Sequence, residues 1–159
     1  MSAVEDRLAA LGLTVPDVAK PVAAYQPAVR DGNLVFTSGQ LPMVSGALAQ
    51  TGKVGTAGTD SGVSPEEAKE LAQTCALNAI AAVRSVIGDL DKVTRVIKVV
   101  GFVASDPAFT GQPGVINGAS ELLGKAFGDA GAHARSAVGV AVLPLDAPVE
   151  VEITVSVQD

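Results

Sequence analysis

The sequence predicts a single α+β domain in which two amphipathic helices cover one face of one β-sheet. Three observations predict it. Apolar residues recur at three- and four-residue spacing over two long stretches, one from Leu71 to Val86 and one from Val115 to Phe127. The last stretch alternates strictly: Val149, Val151, Ile153, Val155 and Val157 point one way and Glu150, Glu152, Thr154 and Ser156 the other. The order strand, strand, helix, strand, helix, strand, strand then suits one layered core in a chain of 159 residues, 48% of them apolar, too short for two large domains. We assign 1–159 to that domain, with 1–15 as an N-terminal helical extension.

Ser2 caps a short helix that ends near Leu11, with Glu5 at the capping-box position and Gly12 as the stop, and the helix is expected to be a peripheral flap. Residues 22–29 and 34–38 flank Arg30-Asp-Gly-Asn33, a polar turn between strand-like runs, and predict a hairpin at a sheet edge. From 44 to 63 the chain is rich in Gly, Ser and Thr and reads as an irregular edge or cover outside the core.

Ser64-Pro-Glu-Glu starts a helix expected to run to about Ile87, because Ser64 caps, Pro65 fits the first turn and Glu66 and Glu67 face the positive end of the dipole. Leu71, Cys75, Asn78, Ala79, Ala82, Val83 and Val86 form its packing stripe, and Gly88 ends it. Cys75 reads as a small buried filler rather than a reactive thiol, since no cation or His lies near it in sequence. Residues 94–105 are rich in β-branched side chains and predict a buried strand. Residues 112–128 predict a second helix, and 135–143 and 149–157 two further strands. Along 135–141 the odd positions are Arg135, Ala137, Gly139 and Ala141. Such a small and sparsely charged face predicts close approach of another subunit.

Composition excludes several functions. Lys plus Arg number 11 against 17 Asp plus Glu, a net charge of −6, and only 3% of residues are aromatic, so neither counterion release nor base stacking favours a nucleic-acid partner. One Cys permits no internal disulfide, no Cys and His cluster offers zinc ligands, and no apolar run approaches a membrane span. No signal-peptide pattern opens the chain, and a cytoplasmic location without a membrane partner is expected.

Several stretches, in order from about residue 20 onward, resemble the RidA (YjgF) family of enamine and imine deaminases, also labelled endoribonuclease L-PSP. They are Ala24-Tyr-Gln, Gly32-Asn-Leu-Val-Phe-Thr-Ser-Gly-Gln-Leu-Pro42, Asn117, Ala134-Arg-Ser-Ala-Val-Gly-Val-Ala-Val-Leu-Pro144, and Val149-Glu-Val-Glu152. The resemblance implies a chorismate-mutase-like mixed sheet with two helices on one face, a homotrimer around a central barrel, and ligand sites in the clefts between neighbours. It also implies that the last strand inserts between the strand starting at Leu34 and the one starting at Thr94, with the Arg135 strand parallel to the latter. A plain hairpin of the last two strands would instead hold Arg135 about 20 Å from Glu150.

The family's functional positions carry over to Tyr25, Ser38, Asn117, Arg135 and Glu150. A 2-imino acid carries a carboxylate beside an electrophilic C=N, and a guanidinium can grip that carboxylate by two parallel hydrogen bonds, which makes Arg135 the candidate anchor. Glu150 is the candidate acid/base group for water delivery and ammonia departure, a reaction that calls for no metal and no organic cofactor. Tyr25, Ser38, Asn117 and, through its backbone, Ala137 are candidate substrate contacts. The plainer readings stand beside these: Arg135 as a structural ion pair, Glu150 as a solvated strand carboxylate, Tyr25 as an interface residue, and His133 as a loop side chain without catalytic duty. Ala137 stands where many deaminating members have Cys, and the 46–62 segment and N-terminal helix exceed the compact members of the family. The expected activity is hydrolysis of small 2-imino acids to 2-keto acids and ammonia. The alternative is a non-catalytic trimer that binds small carboxylates or acts as a chaperone-like partner.

Overall fold

The structure, a computed structural model, describes residues 2–18, 24–55 and 62–159. In chain order the elements are α1 (Ala3–Ala10), β1 (Ala28–Asp31), β2 (Leu34–Thr37), β3 (Met43–Val44), β4 (Ala47–Leu48), β5 (Lys53–Val54), β6 (Gly62–Val63), α2 (Pro65–Ile87), β7 (Val93–Ala104), α3 (Gln112–Phe127), β8 (Ala134–Val140) and β9 (Val149–Val157). The main sheet runs β1-β2-β9-β7-β8, antiparallel except for the parallel pair β7 and β8. That parallel pair requires a crossover, which α3 supplies. β9 lies between β2 and β7 as the resemblance implies, and the alternative of a terminal β8–β9 hairpin is absent.

The strict alternation of β9 puts Val149, Val151, Ile153, Val155 and Val157 under the helices, all buried, with the intervening polar residues on the other face. α2 begins as its cap predicts: Glu67 N–H donates to Ser64 Oγ at 3.1 Å and Ser64 N–H to Glu67 Oε2 at 2.9 Å. Its stripe is rotated slightly from the expected one, since Ile87 is buried and Val86 is exposed. α2 and α3 pack side by side and approach closely at Gly118, where a Cβ would collide with the backbone carbonyl of Lys69.

Three expectations need correction. α1 is not a loose flap. Val4 and Leu8 are buried, Asp91 accepts from the backbone N–H groups of Ala3 and Val4 at 2.8 and 3.2 Å, and Glu5 pairs with Arg84 at 2.9 Å. The 44–63 stretch contributes to the core through Val54 and Val63, because β5 bridges from Val54 to Ser105 at the end of β7. The hairpin strand is shorter than expected, starting at Ala28, and the part of it placed on residues 22 and 23 lies outside the described residues. Among the described residues no helix is long and apolar enough to cross a membrane.

Candidate active site

The candidate residues separate into two groups. The first forms where β2 leaves the ladder. β2 and β9 pair in register through Phe36 and Thr154, then resume one residue out of step at Gln40 and Val151, so β2 bulges at Ser38-Gly39. Thr37 Oγ1 accepts the Ile153 N–H at 3.0 Å in place of a backbone carbonyl, while Ser38 turns away and its N–H and Oγ donate to Pro27 O and Gln26 O at 2.8 and 2.6 Å. The bulge opens space that the Glu150 carboxylate fills. A Cβ at Gly39 would collide with that carboxylate, so no other residue fits there without moving it. Burial, with the charge of Glu152 adding, raises the Glu150 carboxyl above its ordinary value.

Tyr25 is exposed and borders a cavity of about 620 Å³ beside Gly39, whose walls include Leu41, Met43, Asn78 and Leu145. Asn78, expected only as part of a packing stripe, donates both Nδ2 hydrogens to Leu41 O and Met43 O at 3.0 Å each, and so ties the segment after the bulge to α2. Cys75 is fully buried beneath β9, its Sγ 3.7 Å from Val149 O, with its thiol pushed well up by burial and by the charge of Glu150, which suits a filler and no nucleophile.

The second group surrounds Arg135 at the edge strand β8. Arg135 pairs with buried Val99, so its side chain leaves on the helix-bearing face, and α3 holds it there. Nη1 donates to Asn117 Oδ1 at 2.8 Å and to Ser120 Oγ at 3.2 Å, and Nη2 donates to Pro113 O at 3.3 Å. The plainer reading of Arg135 as an ion pair fails among the described residues, because its partners are neutral. Nε–H and one Nη2 hydrogen have no protein partner among the described residues, leaving two donors for an anion. The odd positions of β8 owe their smallness to this helix. Ala137 packs against the core, and a Cβ at Gly139 would meet Gln112 and Ser105. The close approach expected from another subunit is thus made by α3 of the same chain.

Within one chain the two groups do not meet. Arg135 pairs with Val99 and Glu150 with Phe102, an odd separation along β7, which places them on opposite faces. Two strand spacings and three residues of rise set their Cα atoms about 14 Å apart. Tyr25, Ser38 and Glu150 therefore belong to one cluster, and Arg135, Asn117 and Ala137 to another.

Sequence reasoning missed Ser120 and gave His133 no duty. Asn117 and Ser120 sit three apart on α3 and His133 two before Arg135, spacings that share a helix face and a strand face, and that was the available signal.

Comparison with known proteins agrees with this architecture. Residues 5–155 match the family described as "YjgF/chorismate_mutase-like, putative endoribonuclease". Protein TCP17 of Trypanosoma cruzi is 40% identical over 157 residues, covering 98% of this chain and 95% of its own. The crystal structure of Atu1372 from Agrobacterium tumefaciens, described as of unknown function, superposes with a TM-score of 0.88 at 46% identity over 98% of this chain and 93% of that one. The YjgF gene product of E. coli follows at a TM-score of 0.63 and 25% identity, over 90% and 94%. With its fold, its ordered motifs and a match along nearly its whole length, the chain belongs to the YjgF/chorismate-mutase-like family.

Proposed function

We propose that the protein is a homotrimeric enamine/imine deaminase whose active sites lie between subunits, hydrolysing small 2-imino acids to 2-keto acids and ammonia. The observation that carries this reading is the state of Arg135: a guanidinium with three donors bound to α3 and, among the described residues, two left for an anion. Such an edge matches one carboxylate. The half-buried Glu150, with its raised carboxyl, sits on the opposite face and supplies the proton-transfer group from a neighbouring subunit. Trimerisation is supported by the helix-free face of the sheet, where Val29 and Phe36, paired near one edge, and Val138 on the opposite edge strand are exposed on the face that also carries Glu150 and Glu152.

The chemistry follows from the groups. Arg135 fixes the carboxylate and hence the plane of the adjacent C=N. Glu150 takes a proton from water as the water oxygen bonds to the carbon of the protonated imine, and the C=N electron pair moves to nitrogen. The same carboxyl returns that proton to the amine. The C–N bond then breaks, ammonia leaves with the pair, and loss of the hydroxyl proton gives the keto acid. An endoribonuclease, as the family description has it, has less support: the net charge is −6 and the face bearing Glu150 also carries Glu152. A cytoplasmic setting suits a substrate released by pyridoxal enzymes and a chain with one free thiol.

The test is ammonia and keto-acid release from freshly generated 2-aminoacrylate. Arg135→Ala and Glu150→Gln should each lower kcat/KM by at least about a hundredfold with the fold intact. Normal turnover in either variant removes that residue from the mechanism.

A further inference from the structure

A chain of hydrogen bonds continues behind Arg135. His133 Nδ1 lies 2.6 Å from Gly131 O, and since a carbonyl only accepts, Nδ1 carries the hydrogen. In the neutral ring Nε2 is then an acceptor, and the Ser120 hydroxyl 2.8 Å away donates to it. With its proton committed to His133, the Ser120 oxygen presents lone pairs toward Arg135 Nη1 at 3.2 Å. Every bond therefore points one way: Arg135 donates to Ser120, Ser120 to His133, and His133 to the Gly131 carbonyl.

We infer that Ser120 and His133 are positioning residues for the carboxylate anchor: the Gly131 carbonyl sets the His133 tautomer, the tautomer sets the Ser120 hydroxyl, and the hydroxyl holds Nη1 so that the guanidinium's free donors stay aimed at the ligand. A serine within a helix otherwise turns its hydroxyl back to the carbonyl one turn earlier. His133 removes that option. Gly131 is fixed in turn, since a Cβ there would collide with the Leu123 carbonyl of α3, so the chain starts from a close contact between the turn before β8 and α3. Asn117 grips the same nitrogen at 2.8 Å, and the two acceptors together use both Nη1 hydrogens. Neither Ser120 nor His133 touches the proposed ligand edge.

This inference rests on Arg135 being the carboxylate anchor, and the experiment separates the two. Pyruvate is titrated calorimetrically into the assembled protein, with Tm recorded for each variant. Ser120→Ala should weaken pyruvate about two- to twelvefold, the loss of one hydrogen bond's worth of positioning, and Ser120→Thr, which keeps the hydroxyl, should recover most of it. His133→Ala should weaken pyruvate too, but should add little in the Ser120→Ala background, because its effect travels through that hydroxyl. In turnover the same variants should raise KM more than they lower kcat. Wild-type affinity in Ser120→Ala, with Arg135→Ala abolishing binding, overturns the positioning role and leaves the anchor standing; a full additive loss for His133→Ala in the Ser120→Ala background overturns the relay. Wild-type affinity in Arg135→Ala sinks the anchor and this inference together. If His133→Ala does not fold, the Ser120→Ala and Ser120→Thr pair decides.

Discussion

Mixing two inactive variants gives the sharpest test of an active site divided between subunits. Arg135 and Glu150 sit on opposite faces of one sheet, about 14 Å apart by strand spacing and rise, with the guanidinium anchored to α3 and the carboxylate lodged against Gly39. No small imino acid spans a sheet, so a site that uses both residues draws them from different chains. Trimers assembled from equal amounts of Arg135→Ala and Glu150→Gln subunits then contain some sites in which the arginine comes from the glutamine variant and the glutamate from the alanine variant. With random mixing in a cyclic trimer each site has that composition with a chance of about one in four. Each variant alone should be almost inactive, and the co-refolded mixture should recover about a quarter of wild-type deamination, measured as ammonia and keto acid from 2-aminoacrylate. Mixed trimers, verified by mass, that stay as inactive as their parents would refute the shared site.

Other outcomes follow from the same structure. Arg135→Lys replaces a planar fork with a point charge and should lower kcat/KM by about tenfold to more than a hundredfold, read in steady-state kinetics; wild-type activity would make Arg135 structural. Because burial raises the Glu150 carboxyl, the folded chain binds its proton more tightly than the unfolded chain does. Stability from this group is complete below the ordinary glutamate value and is lost as pH rises through the raised folded value, so Glu150→Gln should raise Tm at neutral pH, and the gain should vanish in acid below the ordinary value. A Tm difference that instead grew toward low pH would contradict the sign. Gly118→Ala should destabilise the fold by about 1–3 kcal/mol in urea melts, because the added methyl meets the Lys69 carbonyl and forces α2 from α3. Ser64→Ala should cost about 1 kcal/mol through loss of the cap that Glu67 N–H uses at 3.1 Å.

Much of the architecture was legible in the sequence because local physics specified it. The Ser64 cap, the Pro65 start and the Gly88 stop bound α2 to the residue, and the period-two pattern of β9 sorted its valines from its glutamates before any neighbour was known. The motifs around Ser38, Arg135 and Glu150 named the family and the candidate residues. Other features lay beyond the sequence because they depend on what stands across from a residue rather than beside it. The small odd face of β8 reads equally as an approach by a second subunit or by a helix of its own chain, and only the α3 crossover decides for the helix. The N-terminal helix looked peripheral until Asp91, some ninety residues away, accepted its first N–H groups. Val54 and Val63, in a stretch too poor in apolar residues to suggest a core, are buried because β5 bridges to the end of β7. The parity along β7 that sends Arg135 and Glu150 to opposite faces requires the register of β8 and β9 on β7, which no spacing in the chain encodes. The link from Arg135 through Ser120 to His133 needed the tertiary structure for the same reason: hydrogen bonds are short and directional, and a helix and a strand meet only once the sheet has been ordered.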